Sequence, residues 1–244
     1  MKQFLLILGA ALIILFGCQN EKEISVFCIG DSTMANKKAD VFPETGWCQV
    51  LNEFFNETVN VKNHAVNGRS SKSFIDEGRW QAVLDSLQKG DYVFIQFGHN
   101  DQKDYDSTRY TTPFGTYSDN LRKFINESLD KGANPVLFTS IVRRKFSEDG
   151  KLTDTHGDYP TATRKVADEL NVPLIDLQKL TENWVNNLGN ETSKEMFLWT
   201  KPTDRFPEGR KDDTHLSVKG AKSVAQLAVG TVKETIPDLS KRLK

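Results

Sequence analysis

The sequence is poor in cysteine, and its charges balance. Only three cysteines occur among 244 residues, and their spacing matches no metal-binding pattern. The 32 basic and 33 acidic residues leave a formal net charge of −1, so no bulk charge favours nucleic acid or an anionic membrane surface. A chain of this length buries enough surface to form a core without a metal ion or disulfides. Internal repeats, low-complexity tracts and interdomain linkers are also missing, which favours one globular domain.

The sequence also lacks an apolar run long enough for a transmembrane helix. Phe4 to Phe16 is almost wholly apolar but covers only 13 residues, whereas a spanning helix needs about 20. With a basic start, this segment is typical of a signal peptide. Leu15-Phe16-Gly17-Cys18 resembles the bacterial lipobox, although Phe16 departs from its usual small or aliphatic residue. We therefore expect a lipoprotein signal peptide over residues 1–17 and a lipidated Cys18.

The predicted leader indicates where the protein is found. Residues 18–23 are polar and acidic and are interpreted as a tether. We expect an exported lipoprotein, periplasmic or on the surface of a Gram-negative bacterium, that contacts membrane only through its lipid. A plain signal peptide is the alternative. Cys28 lies in an apolar run and is predicted to be buried. A Cys28–Cys48 disulfide and two free thiols both fit the sequence.

Short β-rich runs alternate with helical patterns after the tether, over residues 24–244. This order predicts βαβ units, and hence a parallel sheet with helices on both faces. Ser217 stands where an N-cap is needed for the last helix. Strands are predicted over residues 24–29, 59–65, 92–97, 135–142 and 172–177. Helices are predicted over residues 46–56, 73–88, 117–131, 159–170 and 218–236. Residues 99–115 and 189–211 are interpreted as irregular loops that serve a site.

Four short segments lie at the ends of these predicted elements and carry reactive side chains. Gly30-Asp31-Ser32 follows the first strand, Asn67-Gly68-Arg69 the second, and Gly98-His99-Asn100-Asp101 the third. Asp212-Asp213-Thr214-His215 precedes the last helix. Each segment alone also fits an ordinary turn. Parallel strands present their carboxyl ends at one sheet edge, so we expect the four segments to form a common site there.

The order Ser, Gly, Asn and Asp-x-x-His resembles the SGNH/GDSL hydrolase superfamily. Four longer segments, residues 30–35, 63–74, 96–101 and 212–215, look like its rhamnogalacturonan acetylesterase branch, and so does Thr155-His156-Gly157-Asp158-Tyr159-Pro160. The resemblance extends from about Ile24 to the last helix. It implies a three-layer α/β/α, flavodoxin-like fold with a five-stranded parallel sheet. It also implies a serine esterase that removes acetyl groups from a plant cell-wall polysaccharide such as rhamnogalacturonan.

The resemblance also implies a role for each site residue. Ser32 would be the nucleophile, His215 its general base and Asp212 the carboxylate that orients the imidazole. By sequence alone, Asp213 competes with Asp212 for that role. The backbone N–H groups of Ser32 and Gly68 and the side chain of Asn100 would form the oxyanion hole. No metal ion or organic cofactor is implied.

Polar loops suit a sugar substrate, and an acetyl group needs only a small pocket. Arg69, Trp80 and Trp199 are candidates for contact with sugar rings and uronate carboxylates. A surface ion pair for Arg69 and packing roles for the tryptophans are the favoured alternatives. The expected partner is an acetylated pectic polysaccharide or oligosaccharide, bound by a monomer. The remaining alternatives are a different SGNH esterase, lipase-like or thioesterase, and a non-catalytic glycan-binding lipoprotein.

Overall fold

The computed structural model describes residues 22–244, and five parallel strands form its central sheet. In chain order these strands are β1 (Ile24–Gly30), β2 (Val59–Asn63), β3 (Tyr92–Gln96), β4 (Asn134–Phe138) and β5 (Leu174–Ile175). Their spatial order is β2-β1-β3-β4-β5, with all neighbours parallel. The predicted signal peptide, Cys18 lipidation and most of the tether lie outside the described residues.

Seven helices accompany the sheet in the described part of the chain. They are α1 (Ser71–Asp76), α2 (Arg79–Leu84), α3 (Ser118–Asp130), α4 (Tyr159–Leu170), α5 (Leu177–Ser193), α6 (Val218–Thr235) and α7 (Pro237–Ser240). None of the helices within residues 22–244 has the length and apolar character needed to cross a bilayer. Ser217 accepts a hydrogen bond from Gly220 N and caps α6, as predicted.

Two hydrophobic layers enclose the sheet because successive side chains of a strand point to opposite faces. In β1, Val26 and Cys28 pack with side chains of α5 and α6. Phe27 and Ile29 pack on the other face with side chains of the first four helices. The predicted α/β/α fold with a five-stranded parallel sheet is therefore confirmed. Cys28 and Cys48 are both buried and free.

Several predicted boundaries were wrong where tertiary contacts or glycine override local propensity. Residues 46–56 form two 3₁₀ turns, Trp47–Gln49 and Leu51–Phe54, instead of an α-helix. Residues 73–88 form parts of two short helices, which Gly78 separates with a positive φ of 69°. Strands β2, β4 and β5 are shorter than predicted.

The region predicted as an irregular loop over residues 189–211 is largely ordered. It contains the end of α5, a helix that the sequence analysis missed altogether. It also contains β6 (Phe197–Thr200), which pairs antiparallel with β7 (Arg210–Leu216) in a separate two-stranded sheet. The segment 212–215, predicted as a loop before the last helix, therefore lies within a strand.

Candidate active site

Ser32 lies in a tight turn directly after β1. Gly30 permits this turn, since a Cβ there would lie 2.5 Å from the carbonyl oxygen of Gln96 on β3. The carbonyl of Asp31 accepts hydrogen bonds from Met34 N and Ala35 N, at 3.3 and 3.1 Å. The Asp31 side chain accepts from Thr33 N at 2.9 Å. These bonds hold Ser32 half-buried at the carboxyl edge of the sheet.

A β-bulge brings Asp212 and His215 together. Leu198 pairs with Asp212, but the preceding residue, Phe197, pairs with Leu216, so residues 213–215 loop out of the ladder. Inside this bulge, one Asp212 oxygen accepts from the backbone N–H of Thr214 (2.8 Å) and of His215 (2.9 Å). The second oxygen lies 2.8 Å from Nδ1 of His215. The Asp-x-x-His spacing thus produces contact through a bulge.

The imidazole of His215 connects Asp212 to Ser32. Its Nε2 lies 2.9 Å from the Ser32 Oγ, although the two residues are 183 positions apart in sequence. A carboxylate can only accept, so Nδ1 carries the proton and Nε2 is left to accept from the serine hydroxyl. Burial opposes ionisation of Asp212, but its contacts with His215 and Thr214 outweigh burial and hold its pKa well below the usual range.

The three residues predicted to form an oxyanion hole line one cavity. Ser32, Gly68, Asn100 and His215 all line a cavity of about 490 Å³. Gly68 has a φ of 75°, a conformation that favours glycine. The Asn100 side chain donates to the carbonyl of Arg69 at 3.1 Å, which ties the segments after β2 and β3 to each other. The four segments selected from the sequence therefore converge at one edge of the sheet.

Comparison with known families agrees with this geometry. A family model described as GDSL-like lipase/acylhydrolase matches residues 26–228. The chain belongs to this family. The matched range includes the Ser32 turn, the Gly68 and Asn100 segments and the Asp212–His215 bulge of this GDSL hydrolase.

Known relatives and a solved structure are similar over most of the GDSL hydrolase. Rhamnogalacturonan acetylesterase RhgT of Bacillus subtilis is 43% identical over 216 residues, covering 88% of this chain and 91% of RhgT. The rhamnogalacturonan acetylesterase of Emericella nidulans is 29% identical, covering 82% of this chain and 81% of that enzyme. The crystal structure of YxiM from Bacillus subtilis has 26% identity and a TM-score of 0.73, and this chain spans 57% of it.

The three residues predicted to contact sugar do not lie together, and none of them lines the Ser32 cavity. The prediction that Trp80 contacts substrate is wrong, because its side chain is only 2% exposed. Its indole packs against Phe124 and donates a hydrogen bond to Glu127. Trp199 donates its indole N–H to Asp213 at 2.7 Å and does not line the Ser32 cavity. Arg69 pairs with Glu77 at 3.0 Å and lines a neighbouring depression that also includes Gly68.

A buried hydrogen-bond network supports the turn that carries Ser32, and no motif in the sequence predicted it. The Trp47 indole donates to Gln96, which donates to the Thr33 hydroxyl, and that hydroxyl donates to Asp31. The other oxygen of Asp31 lies 3.2 Å from Nδ1 of His99. Burial lowers the pKa of His99, so the ring is neutral and Nδ1–H donates to Asp31. His99 thereby links the turn that carries Ser32 to the loop that carries Asn100.

Three further charged residues extend the site beyond the predicted set. Arg210 contacts Glu44 at 2.9 Å and Asp212 at 3.4 Å, and Lys37 contacts Glu44 at 2.9 Å. Glu44 also lines the Ser32 cavity. The ion pairs connect the hairpin of β6 and β7 to the segment after the Ser32 turn. No sequence motif marks Glu44, which sits in an irregular region.

Loss of the His99 contact is expected to slow catalysis without preventing folding. His99→Leu removes the donor to Asp31 and leaves a buried carboxylate short of a partner, so the turn that carries Ser32 shifts. A displacement of about 1 Å at a reacting group costs up to about 10²-fold in rate. We expect kcat to fall by roughly this factor with little change in KM, measured on p-nitrophenyl acetate.

The matched variants are His99→Asn and His99→Gln. The asparagine amide stands near the position of Nδ1 and restores the donor, whereas the glutamine amide stands near Nε2. We expect kcat to recover with asparagine more than with glutamine, with thermal melts recorded for all three proteins. Equal kcat in His99→Leu and the wild type would contradict a positioning role.

Proposed function

We propose that this GDSL hydrolase is a serine esterase that removes acetyl groups from rhamnogalacturonan, with Ser32, His215 and Asp212 as its catalytic triad. The observation that carries the proposal is the contact of 2.9 Å between Ser32 Oγ and His215 Nε2 in a chain of the acylhydrolase family. We infer the acetyl group and the glycan from two relatives, RhgT and the Emericella nidulans enzyme, which are both rhamnogalacturonan acetylesterases.

The acylation step follows from the protonation of the three side chains. Ser32 Oγ attacks the acetyl carbonyl carbon while His215 Nε2 takes the hydroxyl proton. Asp212 holds the tautomer that leaves Nε2 free and stabilises the imidazolium that forms. The imidazolium then returns the proton to the departing sugar oxygen. The sugar hydroxyl leaves, and an acetyl group remains on Ser32.

The tetrahedral intermediates carry a negative oxygen that needs donors. The backbone N–H groups of Ser32 and Gly68 and the amide of Asn100 are the proposed donors, and each donor of this kind contributes about 10²–10³ in rate. Water, activated by His215, then attacks the acetyl-enzyme and releases acetate. His215 takes a proton from this water and gives it to Ser32 Oγ as the acetyl–serine bond breaks, so the serine is restored and the cycle uses no cofactor.

The character of the cavity supports a short acyl group on a polar substrate. Among the described residues that line it, none has an aliphatic or phenyl side chain, and most are polar or charged. A long acyl chain gains free energy by packing against apolar side chains, and the described lining provides no aliphatic or phenyl side chain for it. An acetyl ester on a sugar suits the cavity better than a lipid ester does.

We also propose that the enzyme is an exported lipoprotein. The support is the apolar run over residues 4–16 followed at once by Gly17-Cys18. Lipid on Cys18 would keep the catalytic domain at a membrane surface while the polar tether separates the two. Such a location suits an enzyme whose substrate is an extracellular polysaccharide.

Acetate release from acetylated rhamnogalacturonan by the wild-type enzyme tests the proposed function. We expect hydrolysis of this polymer, and a kcat/KM on p-nitrophenyl acetate at least about tenfold above that on the octanoate, since a few methylene groups change binding by this order. Acetate release is measured enzymatically and nitrophenol by absorbance. A preference for octanoate, or no acetate from the polymer, would refute the proposal.

A further inference from the structure

Two cations line the Ser32 cavity without forming an ion pair in the described part of the chain. Lys103 and Arg143 share this cavity with Ser32 and His215. No carboxylate within residues 22–244 lies at ion-pair distance from either one. Lys37 and Arg210 differ, since each pairs with Glu44 at 2.9 Å. Lys103 and Arg143 therefore differ from the neighbouring cations in having no carboxylate partner among the described residues.

Neutral oxygens hold the Arg143 guanidinium in place. Nη1 donates to the carbonyl and hydroxyl oxygens of Thr155 at 3.1 and 3.3 Å, and Nη2 donates to the carbonyl of His99 at 3.3 Å. Gln102 donates to the same Thr155 carbonyl at 3.0 Å. These bonds fix the position of the guanidinium but leave its charge uncompensated. A preorganised cation of this kind loses little side-chain entropy when it binds an anion.

The carboxylates close to the cavity already have partners. Asp31 contacts His99, Glu44 contacts Lys37 and Arg210, and Asp212 contacts His215. Burial, and then the charges of Arg109 and Arg143, lower the pKa of Lys103. Burial likewise lowers the pKa of Arg143. The charge of Asp31 acts against burial at both cations, and that of Asp106 does so at Lys103, but burial outweighs them. An anionic ligand in the cavity would stabilise the two cations further.

We propose that Lys103 and Arg143 form a binding subsite for a sugar carboxylate beside the scissile acetyl ester. The inference rests on the proposed function and narrows its substrate, within rhamnogalacturonan, to acetyl esters that lie beside a free, unesterified uronate carboxylate. The carboxylate can belong to the acetylated sugar or to its neighbour, because a cavity of about 490 Å³ is large enough for more than an acetyl group. Neutral acetylated glycans lack the group that these cations bind.

The experiment compares three substrates on the full-length enzyme. They are acetylated rhamnogalacturonan oligosaccharides with free carboxylates, the same oligosaccharides after methyl esterification, and acetylated xylooligosaccharides. For the wild type we expect kcat/KM on the free acid to exceed that on the methyl ester by about 10- to 100-fold, the range of a hydrogen bond between charged groups. The difference should appear mainly in KM, because the carboxylate does not change during the reaction.

Substitutions of the two cations separate charge recognition from shape. Lys103→Met and Arg143→Met are each expected to lower the ratio of kcat/KM between free acid and methyl ester by about tenfold. Lys103→Arg should preserve that ratio. Lys165→Met is the matched control, since Lys165 is an exposed lysine on α4 and does not line the cavity. A steric effect of the methyl ester would persist in the methionine variants, whereas charge recognition would not.

The outcomes distinguish the subsite from the proposed function. Equal wild-type hydrolysis of the free acid and the methyl ester would overturn the subsite and leave the acetylesterase intact. An unchanged ratio in Lys103→Met and in Arg143→Met would also overturn it. No acetate from any of the three substrates would refute the acetylesterase function itself.

Discussion

Replacing Ser32 by alanine is expected to lower kcat on acetyl esters by roughly 10⁴- to 10⁶-fold, because the acetyl-enzyme can no longer form. His215 and the proposed oxyanion donors remain, so a residual rate above that of water is expected. The measurement is acetate release from acetylated rhamnogalacturonan, with p-nitrophenyl acetate as a second substrate. A fluorophosphonate probe should label the wild type and leave the Ser32→Ala protein unlabelled.

The control for this prediction is a serine outside the site. Ser86→Ala changes an exposed side chain beyond α2 and should leave both turnover and labelling intact. A thermal melt of Ser32→Ala verifies that the fold is retained, as expected for a half-buried hydroxyl that lies at a cavity surface. Turnover by Ser32→Ala within tenfold of the wild type would contradict the nucleophile assignment.

Asp212→Asn is the second substitution with a large expected effect, a loss of about 10⁴-fold in kcat. The amide of asparagine cannot stabilise the imidazolium, and its N–H₂ group can force the tautomer that places the proton on Nε2. That nitrogen then cannot accept the proton of Ser32. The measurement is kcat on p-nitrophenyl acetate across pH, with active-site titration to normalise for active enzyme.

Asp213→Asn is the matched control, since the two residues are adjacent and compete in the sequence. Asp213 accepts from Arg144 and Trp199, each at 2.7 Å, and within the described residues it makes no hydrogen bond or ion pair with His215. We expect its amide variant to keep kcat within about tenfold of the wild type. If Asp213→Asn were the more damaging substitution, the roles of the two aspartates would have to be exchanged.

The fold and the convergence of the four segments could be predicted because short-range signals and topology agree. Alternating β-rich and helical runs define the parallel sheet, and parallel strands necessarily bring the residues after β1, β2 and β3 to one edge. Ser32, Gly68 and Asn100 each come within five residues of the end of one of these strands. Their common cavity needed no information about loop conformation.

The hairpin and α5 were missed because their stability depends on contacts that are distant in sequence. Gly189 interrupts α5 with a φ of 72°, which made this stretch look like a loop. In β7, Arg210 contacts Glu44 and His215 contacts Ser32, both outside the strand, and Asp212 contacts other residues of β7. The period of two that marks a half-buried strand is therefore lost. The three-residue bulge hides it further.

The sequence does not show the surroundings of an individual side chain, as Trp80 and the two unpaired cations illustrate. A tryptophan in a polar stretch fits a sugar platform or a core position equally well, and only packing against Phe124 decides between them. Lys103 and Arg143 come from loops 40 positions apart, after β3 and after β4. Nothing in either loop indicates that its cation lacks a carboxylate.

The bulge of β7 also determines how the catalytic centre can fail. Asp212 and His215 are carried by one short piece of backbone, so motion of the hairpin as a rigid body leaves their contact intact. Ser32 follows β1 of the main sheet, so its contact with His215 crosses the boundary, here called the seam, between the hairpin and the main sheet. Separation between the hairpin and the main sheet would stop the proposed proton transfer while both pieces keep their internal structure. Turnover is therefore a sensitive reporter of the seam, whereas spectroscopic signals from the sheet would not register its opening.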